Sequence, residues 1–77
     1  MRSTEQAFSH LSNSEIVRLI EDYIRREDYR QILKDRMTKG RTYSQLAQTY
    51  GFSEKQIKNI VYKSEIVLAN ILESKVH

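Results

Sequence analysis

The side chains best suited to chemistry are cations and polar groups in the middle of the chain. Residues 39–63 hold five Lys or Arg residues and one acidic residue, whereas residues 1–38 are neutral and residues 64–77 carry one net negative charge. A basic segment beside a neutral one is typical of modules that contact a polyanion. The alternative interpretation is a solvated helix surface that binds nothing.

Catalytic chemistry is not expected. The two histidines, His10 and His77, stand near opposite ends of the chain, and there is no Cys. The acidic pairs at residues 21–22 and 27–28 are adjacent in sequence, so the two carboxylates of each pair diverge around a helix instead of converging on a substrate or metal. No Gly-rich phosphate loop is present. We therefore predict a protein that is not an enzyme and needs no metal or cofactor.

Length and composition predict one small all-α domain. With 77 residues, no Cys, no Pro and only two Gly, the chain has neither disulfides nor the frequent turns of a β domain. The longest apolar run, residues 66–69, is far shorter than the ~20 residues that span a bilayer, and no signal peptide follows the polar N-terminus. We expect a cytoplasmic, nucleoid-associated protein with no membrane contact.

Helix start and stop signals divide the chain. A capping box at Ser12–Glu15 opens an apolar stripe at helical spacing, which we expect to break near residues 26–28 and to end at Gly40. Asp28 with Gln31 is a candidate cap for a second helix. We predict a flexible arm over residues 1–10 and a single bundle of four or five helices over residues 11–77.

Two further capping boxes flank the second glycine. Thr42–Gln45 opens a short helix that stops at Gly51, and Ser53–Gln56 opens the next. Residues 43–62 fit a helix-turn-helix, because Ala47 is small enough for the helix crossing and Gly51 suits the positive φ of the turn. The alternative is an ordinary pair of antiparallel helices that packs on the first two.

The spacing also predicts which side chains meet DNA. Six positions project from the second helix of the motif and are candidates for reading base edges: Ser53, Glu54, Lys55, Lys58, Asn59 and Tyr62. Lys39, Arg41 and Lys63 are candidates for phosphate contacts. Tyr43 is left open between a phosphate contact and packing on the first helices.

Three segments resemble a known family: Tyr29–Leu33, Lys39–Ala47 and Tyr50–Lys58. They are similar to the C-terminal promoter-reading domain of bacterial sigma factors and to the small phage and mobile-element regulators built on it. The resemblance spans residues 29–64, about half the chain. It implies phosphate contacts from Arg41 and Thr42, and groove contacts from residues 53–55, 58 and 59. The family usually has a basic run after its recognition helix, where this chain has residues 64–67, Ser-Glu-Ile-Val.

The C-terminal stretch is predicted to be a helical extension over residues 64–75. Its apolar residues either fold back onto residues 16–24 or form a heptad-like seam for a homodimer, and we expect folding back with some dimer contact. The whole pattern predicts a sequence-specific double-stranded DNA-binding protein that acts as a small transcriptional regulator. The alternatives are an adaptor that binds RNA polymerase or a sigma factor without touching DNA, and the DNA-binding subunit of a recombination or packaging complex.

Overall fold

Each helix of the structure begins or ends at a signal that the sequence carries. The computed structural model describes residues 8–75, and within that range all regular structure is helical, which confirms the all-α class. The four helices are α1 (Asn13–Tyr23), α2 (Glu27–Lys39), α3 (Tyr43–Tyr50) and α4 (Glu54–Lys75). Residues 1–7 of the predicted arm, and His77, lie outside the described residues.

All three predicted capping boxes form. The hydroxyls of Ser12, Thr42 and Ser53 each accept the amide of the residue three positions later, at 3.1–3.2 Å. In return the side chains of those later residues accept the amide of the capping residue at 2.9–3.0 Å. Two of the amides left unpaired at the starts of α1, α3 and α4 are thereby satisfied. The same bonds lower the pKa of the Glu15 carboxyl, chiefly through the Ser12 amide.

Both glycines end helices in the left-handed conformation. Gly40 closes α2 with φ 66° and Gly51 closes α3 with φ 74°. The amide of Gly51 donates to the carbonyl of Ala47, as does the amide of Phe52. The turn between α3 and α4 therefore uses only residues 51–53, and it is short because a residue without a Cβ is available where φ must be positive.

The break between the first two helices lies earlier than predicted. α1 ends at Tyr23 and α2 begins at Glu27, so the non-helical residues are 24–26. Asp28 is not the cap of the second helix. It lies inside the first turn of α2, where its carboxylate accepts two bonds from the Arg26 guanidinium at 2.8 and 3.1 Å. This ion pair lowers the pKa of the Asp28 carboxyl.

The core draws on every helix and on one residue of the predicted arm. Helix α1 packs on α2, α3 packs on α4, and α4 lies across α2 while touching α1 least. The most completely buried side chains are Ile20, Ile32, Leu33, Leu46, Ile57, Val61 and Leu68. Phe8 is 6% exposed and belongs to this core, so the packed part of the chain begins before residue 11.

The predicted C-terminal extension is continuous with the helix before it. Helix α4 runs without interruption from Glu54 to Lys75, which is 22 residues. Leu68 is fully buried, and Ile71 and Leu72 pack against the core from the side of α4 that faces it. The stretch thus contributes to the core along one side of a helix that continues straight from residue 54. None of the helices within residues 8–75 combines the length and apolar character needed to cross a bilayer.

The left-handed turn at Gly51 supplies a stability prediction. Its missing Cβ would meet open space, so Gly51→Ala adds no clash and only forces a side chain into the αL region, at a cost of about 1–2 kcal/mol. Gly51→Asn is the matched variant, since Asn tolerates that region better, and it should lose less. Urea denaturation of the three proteins measures the difference. Equal stability of all three would show that residue 51 is not held at positive φ.

Candidate nucleic-acid interface

The connection between α2 and α3 is organised by one buried acid, Asp35. Its backbone carbonyl accepts the amides of Gly40 and Arg41. Its carboxylate lies 3.4 Å from a guanidinium nitrogen of Arg41 and 3.7 Å from the Lys39 ammonium. Both ends of the turn are therefore tied to the same residue. The start of α3 is fixed relative to α2 as a result.

A tyrosine from the end of α3 completes this network. The Tyr50 hydroxyl donates to the Asp35 carboxylate at 2.8 Å, and a second Arg41 nitrogen donates to the Thr49 hydroxyl at 3.0 Å. Burial raises the pKa of Tyr50, and the hydrogen bond to Asp35 raises it further. Because Arg41 and Tyr50 reach Asp35 from opposite ends of α3, the whole short helix is held against α2.

The first half of α4 presents a polar outer face. Its buried side consists of Ile57, Ile60 and Val61. Lys55, Lys58, Asn59, Tyr62 and Lys63 are all exposed. Since successive helical residues turn by about 100°, Asn59 and Tyr62 lie opposite Ile57. A ligand as large as a DNA duplex can therefore reach these side chains.

Three helices meet at the ring of Tyr43. The Arg36 guanidinium carbon lies 4.4 Å from the ring centroid, and the Lys58 ammonium nitrogen lies 5.8 Å from it. The ring also packs against the core. The Tyr43 ring thus makes packing contacts and has two cations beside it, while a phosphate contact by its hydroxyl stays a prediction.

Two of the other predicted contact residues are helix caps. Thr42 and Ser53 are both exposed, and each uses its hydroxyl oxygen as a cap acceptor. Glu54 is exposed in the first turn of α4. Lys39 is 70% exposed despite its ion pair, whereas the Arg41 guanidinium is largely occupied by Asp35 and Thr49. As groups that touch DNA, all of them remain predictions.

A shallow groove of about 260 Å³ separates the outer face of α4 from the start of α2. Tyr29 and Phe52 form its aromatic walls, and Asn59 and Lys63 line its edge on α4. Lys63 therefore lies on the opposite flank of α4 from Lys58, which is beside Tyr43. The predicted cations do not form one cluster; they border the outer face on both sides.

Sequence reasoning did not single out Asp35 or Arg36. Asp35 follows Ile32 by three residues and thus falls on the apolar stripe of α2. An acid in that position is expected to be buried, and a buried acid needs hydrogen-bond or ion-pair partners. Its hydrogen bond to Tyr50 spans 15 residues, and no local pattern announces such a contact. Within residues 8–75, the structure contains no group of three His, Cys, Asp or Glu side chains that could hold a metal ion.

Compared with known proteins, the chain matches no family model, no curated protein and no solved structure.

The Asp35 network generates a prediction for Tyr50→Phe. The variant loses a hydrogen bond to a buried carboxylate, and we expect the free energy of unfolding to fall by about 1.5–3 kcal/mol at neutral pH. Because the folded-state pKa of Tyr50 is raised above 10.0, its contribution is complete below pH 10 and is lost as pH rises through the folded pKa. Wild type should therefore lose stability above pH 10 more steeply than the variant.

Tyr62→Phe is the control, since the Tyr62 side chain is 63% exposed. Its free energy of unfolding at neutral pH, and the loss of that free energy above pH 10, should both match wild type. Chemical denaturation at a series of pH values from 7 to 11 measures both quantities. If Tyr50→Phe unfolds with the wild-type free energy, the bond to Asp35 does not stabilise the fold.

Proposed function

We propose that this protein binds double-stranded DNA sequence-specifically and acts as a small transcriptional regulator, of the kind found in phages and mobile elements. The DNA-binding unit is a helix-turn-helix made of α3, residues 51–53 and the first half of α4. The observation that carries the proposal is the division of α4, whose apolar side is buried while Lys55, Asn59 and Tyr62 stay exposed.

The arrangement of α3 supports the same proposal. A recognition helix reads bases only when a preceding helix fixes its depth and angle in the major groove. Here α3 is packed on α4 and is held to α2 by the bonds of Arg41 and Tyr50 to Asp35. A rigid platform of this kind holds side chains in register with base pairs.

Charge supports it as well. Residues 39–63 carry five cations and one acid, and duplex DNA is a dense polyanion with one negative charge per ~1.7 Å of its axis. The amide of Asn59 is suited to a bidentate contact with an adenine edge, and Lys55 to the acceptors of guanine. RNA would be recognised differently, mainly through splayed single-stranded bases.

A second candidate function is favoured by a different surface. Beyond Tyr62, α4 exposes the apolar side chains of Ile66 (36% exposed) and Val67 (48%). An adaptor that binds RNA polymerase or a sigma factor would use this half of α4 and leave DNA untouched. The two candidates place their contacts on different halves of the same helix.

The salt dependence of duplex binding separates the two candidates. A randomised 20-base-pair duplex, titrated by fluorescence anisotropy between 50 and 300 mM salt, should bind with a log–log slope of about −0.9 for each phosphate neutralised. We expect three to five such contacts from the cations of residues 39–63. An absence of binding at 50 mM salt, or a slope near zero, would contradict DNA binding and favour the adaptor.

Asn59→Ala tests base reading. A preferred site is first selected from a randomised duplex pool with the wild-type protein. Asn59 is exposed, so the variant should fold normally and lose roughly 1–3 kcal/mol on that site, with almost no loss on its scrambled version. Gln48→Ala is the control, since Gln48 is exposed on α3. This substitution should leave the affinity for both duplexes unchanged. Equal losses on both duplexes would mean that Asn59 does not read a base.

A further inference from the structure

Lys58 occupies a different place from the other exposed side chains of the first half of α4. It follows buried Ile57 by one residue, so at about 100° per residue it lies on a flank, whereas Asn59 lies near the middle of the outer face. That flank faces α3, since the Lys58 ammonium approaches the Tyr43 ring. Its contact with Tyr43 therefore draws the ammonium away from the outer face and toward the start of α3.

Arg36 reaches the same ring from α2 and is fixed there. One guanidinium nitrogen donates to the Arg41 carbonyl at 2.9 Å, and the guanidinium carbon lies 4.4 Å from the ring centroid. A guanidinium has five N–H donors, and this bond uses one of them. The Tyr43 ring thus has two cations beside it, one from α2 and one from α4.

Holding two cations at one ring has an electrostatic consequence. The ring attracts both of them, yet they repel each other unless an anion lies between them. Four cations of residues 8–75 form ion pairs with carboxylates: Arg26, Lys34, Lys39 and Arg41. None of these four pairs involves Arg36 or Lys58. Their positive charges beside one ring would therefore attract an anion from outside the described residues.

We propose that Arg36, Tyr43 and Lys58 form an anchor for a single phosphate of the DNA backbone. Lys58 is then a phosphate contact and not a base reader, which leaves Lys55, Asn59 and Tyr62 to face the groove. This anchor rests on the proposed DNA binding and gives the protein one fixed contact with the DNA backbone. Because the three side chains come from three helices, a phosphate bound there sets the position of the whole domain on the duplex.

The anchor predicts how Lys58→Ala and Asn59→Ala differ. Both variants are compared with wild type on the selected site and on its scrambled version, at 50, 100 and 200 mM salt. Lys58→Ala should weaken both duplexes alike, by about eightfold at 100 mM salt, and reduce the salt slope by about one unit. Asn59→Ala should affect the selected site alone. A loss confined to the selected site for Lys58→Ala would make Lys58 a base reader and overturn the anchor.

A second measurement locates the phosphate itself. Duplexes of the selected site carry one neutral methylphosphonate at each backbone position in turn. One position should weaken wild-type binding more than it weakens Lys58→Ala, in which only Arg36 still contacts that phosphate. The same position should weaken Tyr43→Phe, which keeps the ring, about as much as wild type. If every position weakens Lys58→Ala as much as it weakens wild type, the anchor is overturned.

The binding data distinguish an error in the proposed DNA binding from an error in the proposed anchor. If wild type binds neither duplex at 50 mM salt, DNA binding is wrong and the anchor with it. If wild type binds and Lys58→Ala retains full affinity with an unchanged salt slope, DNA binding stands and only the anchor is wrong. Circular dichroism melting of each variant confirms that it is folded before its affinity is interpreted.

Discussion

The arrangement of this small domain depends on the ion pair and hydrogen bonds that gather on Asp35. A carboxylate taken out of water must find partners, since an unpaired buried charge costs several kcal/mol. Here Arg41 and the hydroxyl of Tyr50 satisfy it from the two ends of α3. The need to pair one acid therefore fixes an eight-residue helix that would be too short to be stable alone. Helix α3 in turn packs on α4, which also packs on α2 and α1.

The two sides of α4 differ in what they contact. Ile57, Val61 and Leu68 close the core along one side. On the other side the first half of the helix is polar and basic, whereas the second half exposes Ile66 and Val67. The proposed DNA contacts and the candidate adaptor surface thus share one rigid element.

Local chemistry made most of the fold predictable. The three capping boxes and the two glycine stops depend on residues at most five positions apart, and the structure confirms each of them. The predicted break after α1 lies too late in the chain because Asp28 resembles a cap; its carboxylate is instead held by the guanidinium of Arg26 two residues earlier. The burial of Asp35 and the meeting of Arg36, Tyr43 and Lys58 could not be predicted, since each depends on how separate helices pack. The sequence identified the exposed positions of α4, but only packing shows that Lys58 lies beside α3.

The start of α3 and the first half of α4 are proposed as the surface that meets DNA. Amide chemical-shift mapping of the 15N-labelled protein, titrated with a short duplex at low salt, locates this surface. The shifted amides should cluster within residues 39–44 and 53–63, with α1 unaffected. Shifts confined to α1 or to residues 66–72, or no shifts at all, would contradict this proposal.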